Sequence, residues 1–182
     1  MAVRVGPIHL VNTYLYQKGK TLGIFNDESL YGGRTAFTTL NEIARFQQMK
    51  NAKGEPIPYV VYNWSSPRRG VDYYVREQTC VYLVYGRKID EITNITNFIE
   101  DTMDQSDRSA TNVQAWAERL SGDKWGGRAK NPFTDIELYS INLEGINGPT
   151  PITEAGGVME SQVTLTIKYG VINQALQIED EP

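Results

Sequence analysis

Two runs, Pro58-Tyr59-Val60-Val61-Tyr62 and Val71-Asp72-Tyr73-Tyr74-Val75-Arg76-Glu77-Gln78-Thr79-Cys80-Val81-Tyr82-Leu83-Val84-Tyr85, lead into Ile89-Asp90-Glu91-Ile92-Thr93-Asn94-Ile95-Thr96-Asn97-Phe98-Ile99-Glu100-Asp101-Thr102-Met103-Asp104. This succession decides the fold. The first two runs are rich in β-branched and aromatic residues, which suit a pleated, half-buried surface. In the longer one, Tyr73, Val75, Glu77, Thr79, Val81, Leu83 and Tyr85 share one face, while Tyr74, Arg76, Gln78, Cys80, Tyr82 and Val84 share the other. Neither face is cleanly polar, so the strand is expected to be covered on both sides or to meet a neighbouring subunit. The third run changes period: Ile89, Ile92, Ile95, Ile99 and Met103 form one stripe, with Asp90, Glu91, Asn94, Asn97 and Asp101 opposite. That is an amphipathic helix built to pack on the sheet.

Downstream, Ser106 or Asp107 can cap a helix over Ser109 to Leu120, lined by Ala110, Val113, Trp116, Ala117 and Leu120. Strands are expected over Phe133 to Ile146 and Val158 to Ile172, joined by a Gly/Pro-rich loop, Gly145 to Gly157. In the last strand Met159, Val163, Leu165, Ile167, Tyr169 and Val171 alternate with Glu160, Gln162, Thr164, Thr166 and Lys168, the pattern of a sheet with one wet face. Upstream, Thr35 to Lys50 has helical spacing. Pro7 to Gln17 reads either as period two, through Ile8, Leu10, Asn12, Tyr14 and Tyr16, or as a short helix with Pro near its first turn. Lys18 to Arg34 reads as an extended polar loop or arm. The class is therefore α+β: a mostly antiparallel sheet, helices packed on one face, a long closing β-hairpin and an N-terminal arm. The expected division is an arm over 1–34, one domain over 35–175 and an acidic tail over 176–182.

Composition excludes more than it assigns. With 182 residues the chain has length for one domain with a real core. A net charge of −4 gives no electrostatic case for wrapping nucleic acid, which needs clustered Lys and Arg. The 11 Tyr against 5 Phe suit strand faces and interfaces where the hydroxyl stays wet. The single cysteine, Cys80, can form neither an internal disulfide nor a cysteine-based metal site, and its place in the strand pattern reads as core. No apolar leader follows Met1, and no run approaches the ~20 apolar residues needed to cross a bilayer, so a soluble protein with no membrane contact is expected.

Chemistry is equally sparse. His9 has no nearby Cys or Asp in ligand spacing and reads as a structural histidine. The acidic cluster from Glu100 to Asp107 lacks the order of a calcium loop and reads as a helix end and solvated face. Gly32-Gly33, Gly126-Gly127 and Gly156-Gly157 do not have the form of a phosphate-cradling loop. No cofactor, metal or enzymatic role is expected.

Residues 58–62, 76–85 and 88–99, taken with the closing hairpin and the Ser106 to Trp116 helix, resemble bacteriophage tail terminator and tail completion proteins of contractile-tailed phages. The resemblance lies in pattern and order over roughly residues 58–172 rather than in an invariant motif. It implies a structural virion protein, assembled in the host cytoplasm, that forms a hexameric ring at the head-proximal end of the tail. Such a ring terminates the tube and sheath and offers the docking face for neck and connector proteins. DNA is then only passing cargo. The alternatives are a neck or head-completion connector, or a small non-viral α+β binding module. Long Gly/polar segments are the expected carriers of subunit contacts. The candidate contact residues are Tyr31, Arg34, Arg68, Arg69, Asn147, Thr150, Ile152 and Glu154.

Overall fold

The computed structural model describes residues 6–25, 53–54, 57–69, 75–119, 136–152 and 156–171. In chain order these form α1 (Pro7–Thr21), β1 (Tyr59–Trp64), β2 (Arg68–Arg69), β3 (Val75–Gly86), α2 (Ile89–Met103), α3 (Asp107–Arg119), β4 (Ile136–Pro151) and β5 (Met159–Val171). The sheet runs β1-β3-β5-β4, with β2 also on β3, and every pairing is antiparallel. Because β3 and β4 each run antiparallel to β5, they are parallel to one another. The α2–α3 crossover thus leaves a gap that β5 fills. This is the expected α+β arrangement, closed by a long hairpin.

The two faces of the sheet are built differently. On one face Val60, Tyr62, Cys80, Tyr82, Val84, Val163, Leu165, Ile167 and Ile141 meet side chains of α1, α2 and α3 in a single core. A fully buried Leu, Ile or Val contributes about 1.5–3 kcal/mol, so this layer is the main source of stability. On the other face a smaller cluster gathers Tyr59, Val61, Leu83, Tyr85 and Val158. The mixed polarity of β3 is explained by burial on both sides. Toward β5 and β4 this outer face turns polar, through Thr164, Gln162, Glu160 and Thr150.

The helical alternative holds for the N-terminus, and the arm is corrected over residues 7–25. Pro7 occupies the first helical turn, and Lys18 and Lys20 sit in the last turn, where they complement the carbonyl end of the helix dipole. Leu10, Val11 and Leu15 are fully buried, so α1 belongs to the domain. Asn12 is buried beside them and accepts a 2.6 Å hydrogen bond from the Tyr82 hydroxyl. Past the helix, Ile24 and Phe25 donate backbone N–H groups to Gly19 O, and the bare Cα of Gly19 leaves room for the Phe25 ring. That ring meets Phe98 of α2 edge-on at 5.4 Å. The expected helix over Thr35 to Lys50 and the rest of the arm lie outside the described residues.

On α2 the stripe is shifted from the expected one. Ile92, Ile95, Ile99 and Met103 are buried, but so are Phe98 and Thr102, whereas Ile89 is 58% exposed. Ile89 is the first residue of the helix and belongs to neither buried cluster. On α3 Ala110, Val113 and Ala117 are buried as expected; Trp116 is half-buried against Tyr14 of α1 at 5.5 Å, and Leu120 lies outside the described residues. Ser106 O accepts the Ala110 N–H and so begins α3. Its side chain does not cap the helix but donates to Asn142 Oδ1 of β4 at 2.8 Å.

The Gly145–Gly157 loop is the main correction. β4 continues as a strand to Pro151, pairing Gly145, Ile146, Asn147, Thr150 and Pro151 with β5. Of three register shifts, at Leu138/Ser140, Leu143/Gly145 and Asn147/Thr150, the last two absorb the Gly/Pro-rich stretch as bulges. The turn is confined to the stretch between Ile152 and Val158, where Ile152 N–H donates to Val158 O. Gly156 and Gly157, at φ 54° and 89°, take the left-handed backbone that other residues resist.

Candidate contact surface

The hairpin corner brings together three of the residues singled out in the sequence. Asn147 and Thr150 line a groove of about 450 Å³ with Ile146, Gly148, Glu160 and Gln162. Ile152 packs against the outer-face cluster of Tyr59, Tyr85 and Val158. Their placement follows from the last bulge of β4. There Asn147 O accepts a 2.8 Å hydrogen bond from the buried Ser161 hydroxyl, which in turn lies 3.1 Å from the Thr96 hydroxyl of α2. A relay from helix to strand therefore holds Asn147 in place, although its side chain is on the exposed hairpin. Thr150 donates to Glu160 O across the hairpin at 3.3 Å.

The corner is chemically quiet. Tyr59, Tyr85, Glu160 and Thr150 form one row across β1, β3, β5 and β4. The rings of Tyr59 and Tyr85 stack at 5.2 Å. Burial, with the Glu160 carboxylate nearby, pushes the Tyr59 hydroxyl up to about 12, and its oxygen has no hydrogen-bond partner. A phenol held so firmly neutral is a packing group with a polar tip.

The other described candidates lie at the diagonally opposite corner. Arg68 and Arg69 form β2, exposed, opposite Glu77 and Arg76. They reach it through a one-residue bulge: Trp64 faces Cys80, yet Arg68 already faces Glu77. Ser65 secures the bulge, donating its N–H to Thr79 O at 2.8 Å, while its hydroxyl and its carbonyl accept from Thr79 N and Gln78 Nε2 at 3.0 and 2.8 Å. Arg68 and Arg69 thus form a short strand that extends the β1 side of the sheet. Tyr31, Arg34 and Glu154 lie outside the described residues.

One feature was invisible in the sequence. The outer edge of β4 is divided in two. Over its first half the α3 side chain of Gln114 stands in for a neighbouring strand, donating from Nε2 to Ile136 O and accepting the Leu138 N–H on Oε1, both at 3.3 Å. Ser106 then bridges to Ile141, whose N–H donates to Ser106 O at 3.4 Å. Beyond Asn142 no such bond to the outer edge exists among the described residues. A helical Gln at that spacing gives no warning that it ends a sheet.

Burial pushes the Cys80 thiol up to about 12, far from a reactive thiolate, and lowers His9 below the ordinary imidazole value. Among the described residues no group of three His, Cys, Asp or Glu side chains is placed to hold a metal, and no helix is long and apolar enough to cross a membrane. Comparison of the sequence with family models and with curated proteins gives no match.

Proposed function

We propose that the chain is a structural subunit of a ring at the head-proximal end of a phage tail. In this reading it stops the growth of tube and sheath and presents the face on which neck proteins dock. It performs no catalysis, acts in the virion after assembly in the host cytoplasm, and lets DNA pass without gripping it. The observation that carries the reading is the divided edge of β4: a helix-backed sheet whose first half is sealed and whose second half has no outer-edge bond among the described residues. Natural proteins seal exposed sheet edges unless the edge is used, because an open row of N–H and C=O groups pairs with other chains. A subunit that must join identical neighbours head to tail needs such an unsatisfied surface. The order of strand pair, crossing helix and closing hairpin supports the same reading through the resemblance described above.

Size-exclusion chromatography with light scattering, followed by negative-stain imaging, tests this with and without isolated tail tubes. The expected result is a closed ring, six-fold by the resemblance, that caps the tubes. A chain that stays monomeric in the presence of tubes would sink the reading in favour of a small binding module. A ring that binds isolated connectors but not tubes would move it to the neck.

A further inference from the structure

We propose that subunits join by continuing the sheet from one copy to the next: the open edge of β4 over Leu143–Gly148 receives the exposed Ser66–Arg69 stretch of a second copy. This rests on the assembling role proposed above and assigns it a surface and a polarity.

The backbone geometry identifies the edge. In an antiparallel ladder, alternate residues turn both N–H and C=O away from a given neighbour. Ile141, opposite Ile167, faces away from β5, because its N–H bonds to Ser106. Leu143 lies opposite Leu165 and, after the bulge, Ile146 lies opposite Val163, in step with Ile141. Leu143 and Ile146 therefore aim their backbone groups outward, where no described residue meets them. Their side chains are partly buried against the core, which anchors this edge on either side of the Leu143/Gly145 bulge.

Charge selects the occupant. The open edge begins where Ser106 pins the α2–α3 turn to β4, and this turn exposes Asp104 and Asp107. Glu144, on the edge itself, is exposed as well. The sheet's opposite side ends in Ser66, Pro67, Arg68 and Arg69, all exposed, with the two arginines of β2 supplying positive charge. Acidic and basic stretches thus lie on opposite sides of one sheet. A copy cannot satisfy itself, and two copies related by a two-fold axis would oppose like charges. The contact that fits is head to tail, which closes into a ring when the rotation per subunit permits. Pro149 and Pro151 lack the N–H needed to extend pairing further, which confines the added strand to a short segment.

The test uses the full chain with Arg68→Glu, Glu144→Arg and the double exchange, followed by light scattering across a concentration series. Both residues are exposed, so the variants fold; circular dichroism checks this. Each single variant is expected to raise the concentration needed for half-assembly by roughly tenfold or more, since it places like charges across the contact. The double exchange is expected to restore assembly to within about threefold of the parent, because the pair is rebuilt with its signs reversed. Single variants that assemble like the parent, or a double exchange no better than the singles, overturn this contact while leaving the ring itself intact. A parent chain that never assembles removes the ring and the contact together.

Discussion

The two halves of β4 share one backbone direction and one partner strand, yet they are stabilised by different means. From Ile136 to Ile141, Ile136, Leu138 and Ile141 belong to the main core, Ser140 is buried as well, and α3 and the α2–α3 turn occupy the outer edge. From Leu143 to Pro151 no residue is buried, two bulges interrupt the ladder, and no described residue bonds to the outer edge. The first half is part of the core. The second is a projection that β5 supports from one side only. Strand identity is thus no guide to energetic role: what decides it is whether a helix covers the strand.

The largest test of that contrast is a matched pair of truncations. Ile141 is fully buried, and Ile141→Ala should cost about 2–5 kcal/mol through lost transfer energy and an unfilled cavity. Ile146→Ala, on the half-buried counterpart, should cost about 1 kcal/mol. Urea unfolding of both variants measures the difference. Equal losses would mean that the two halves are equally embedded.

Alkali probes the two faces of the sheet. Cys80, in the main core and in the row of Leu143, and Tyr59, in the outer-face cluster and in the row of Thr150, are both pushed up to about 12. In each the folded state favours the neutral form, so their contribution is complete below the unfolded values of 9.0 and 10.0. It is lost as pH rises from those values toward 12. Stability should therefore be insensitive to these groups at neutral pH and fall above pH 9, with Cys80 contributing first. Cys80→Ala should flatten the slope between pH 9 and 10 while lowering stability overall. A slope unchanged by Cys80→Ala would remove the thiol from this account.

Next in size is the seal itself. Gln114→Ala removes both bonds to the outer edge of β4, but water can reach the groups released, so the expected cost is about 1 kcal/mol. The more telling readout is amide exchange at Leu138, which should accelerate toward the rate at Leu143. If Leu138 stays as protected as in the parent, Gln114 is not what closes the edge.

Much of this architecture was legible because its periodicities are clean. The β5 alternation and the β3 run each match one template and appear where the pattern places them over the described residues, and α2 forms as a helix with its buried stripe shifted to take in Phe98 and Thr102. The N-terminus was ambiguous for a physical reason. Ile8, Leu10, Asn12, Tyr14 and Tyr16 alternate by two, yet Leu10, Val11 and Leu15 also make a helical face, and only the buried partner of Asn12, Tyr82, shows which pattern is used. The second half of β4 was misread because Gly145, Gly148, Pro149 and Pro151 usually break regular structure. Here the bulges accommodate them, and nothing local reports a bulge whose partner lies on another strand. Asn147, Thr150 and Ile152 were singled out by composition alone; the division of the β4 edge beside them is set by Gln114, a residue 33 or more positions from Asn147.

The smallest expected effect is the sharpest divider between packing and contact. Asn147→Ala and Thr150→Ala leave the backbone bond from Ser161 in place and remove side chains that line an exposed groove. Stability should change by less than about 0.5 kcal/mol, as for most surface substitutions. If the second half of β4 exists only to complete the hairpin, assembly should be equally indifferent. If it exists to meet a neighbour, the two variants should weaken assembly or tube capping while the urea midpoint stays fixed. Light scattering and unfolding on the same preparations separate these outcomes, and a loss of stability matching any loss of assembly would assign the groove to the fold rather than to contact.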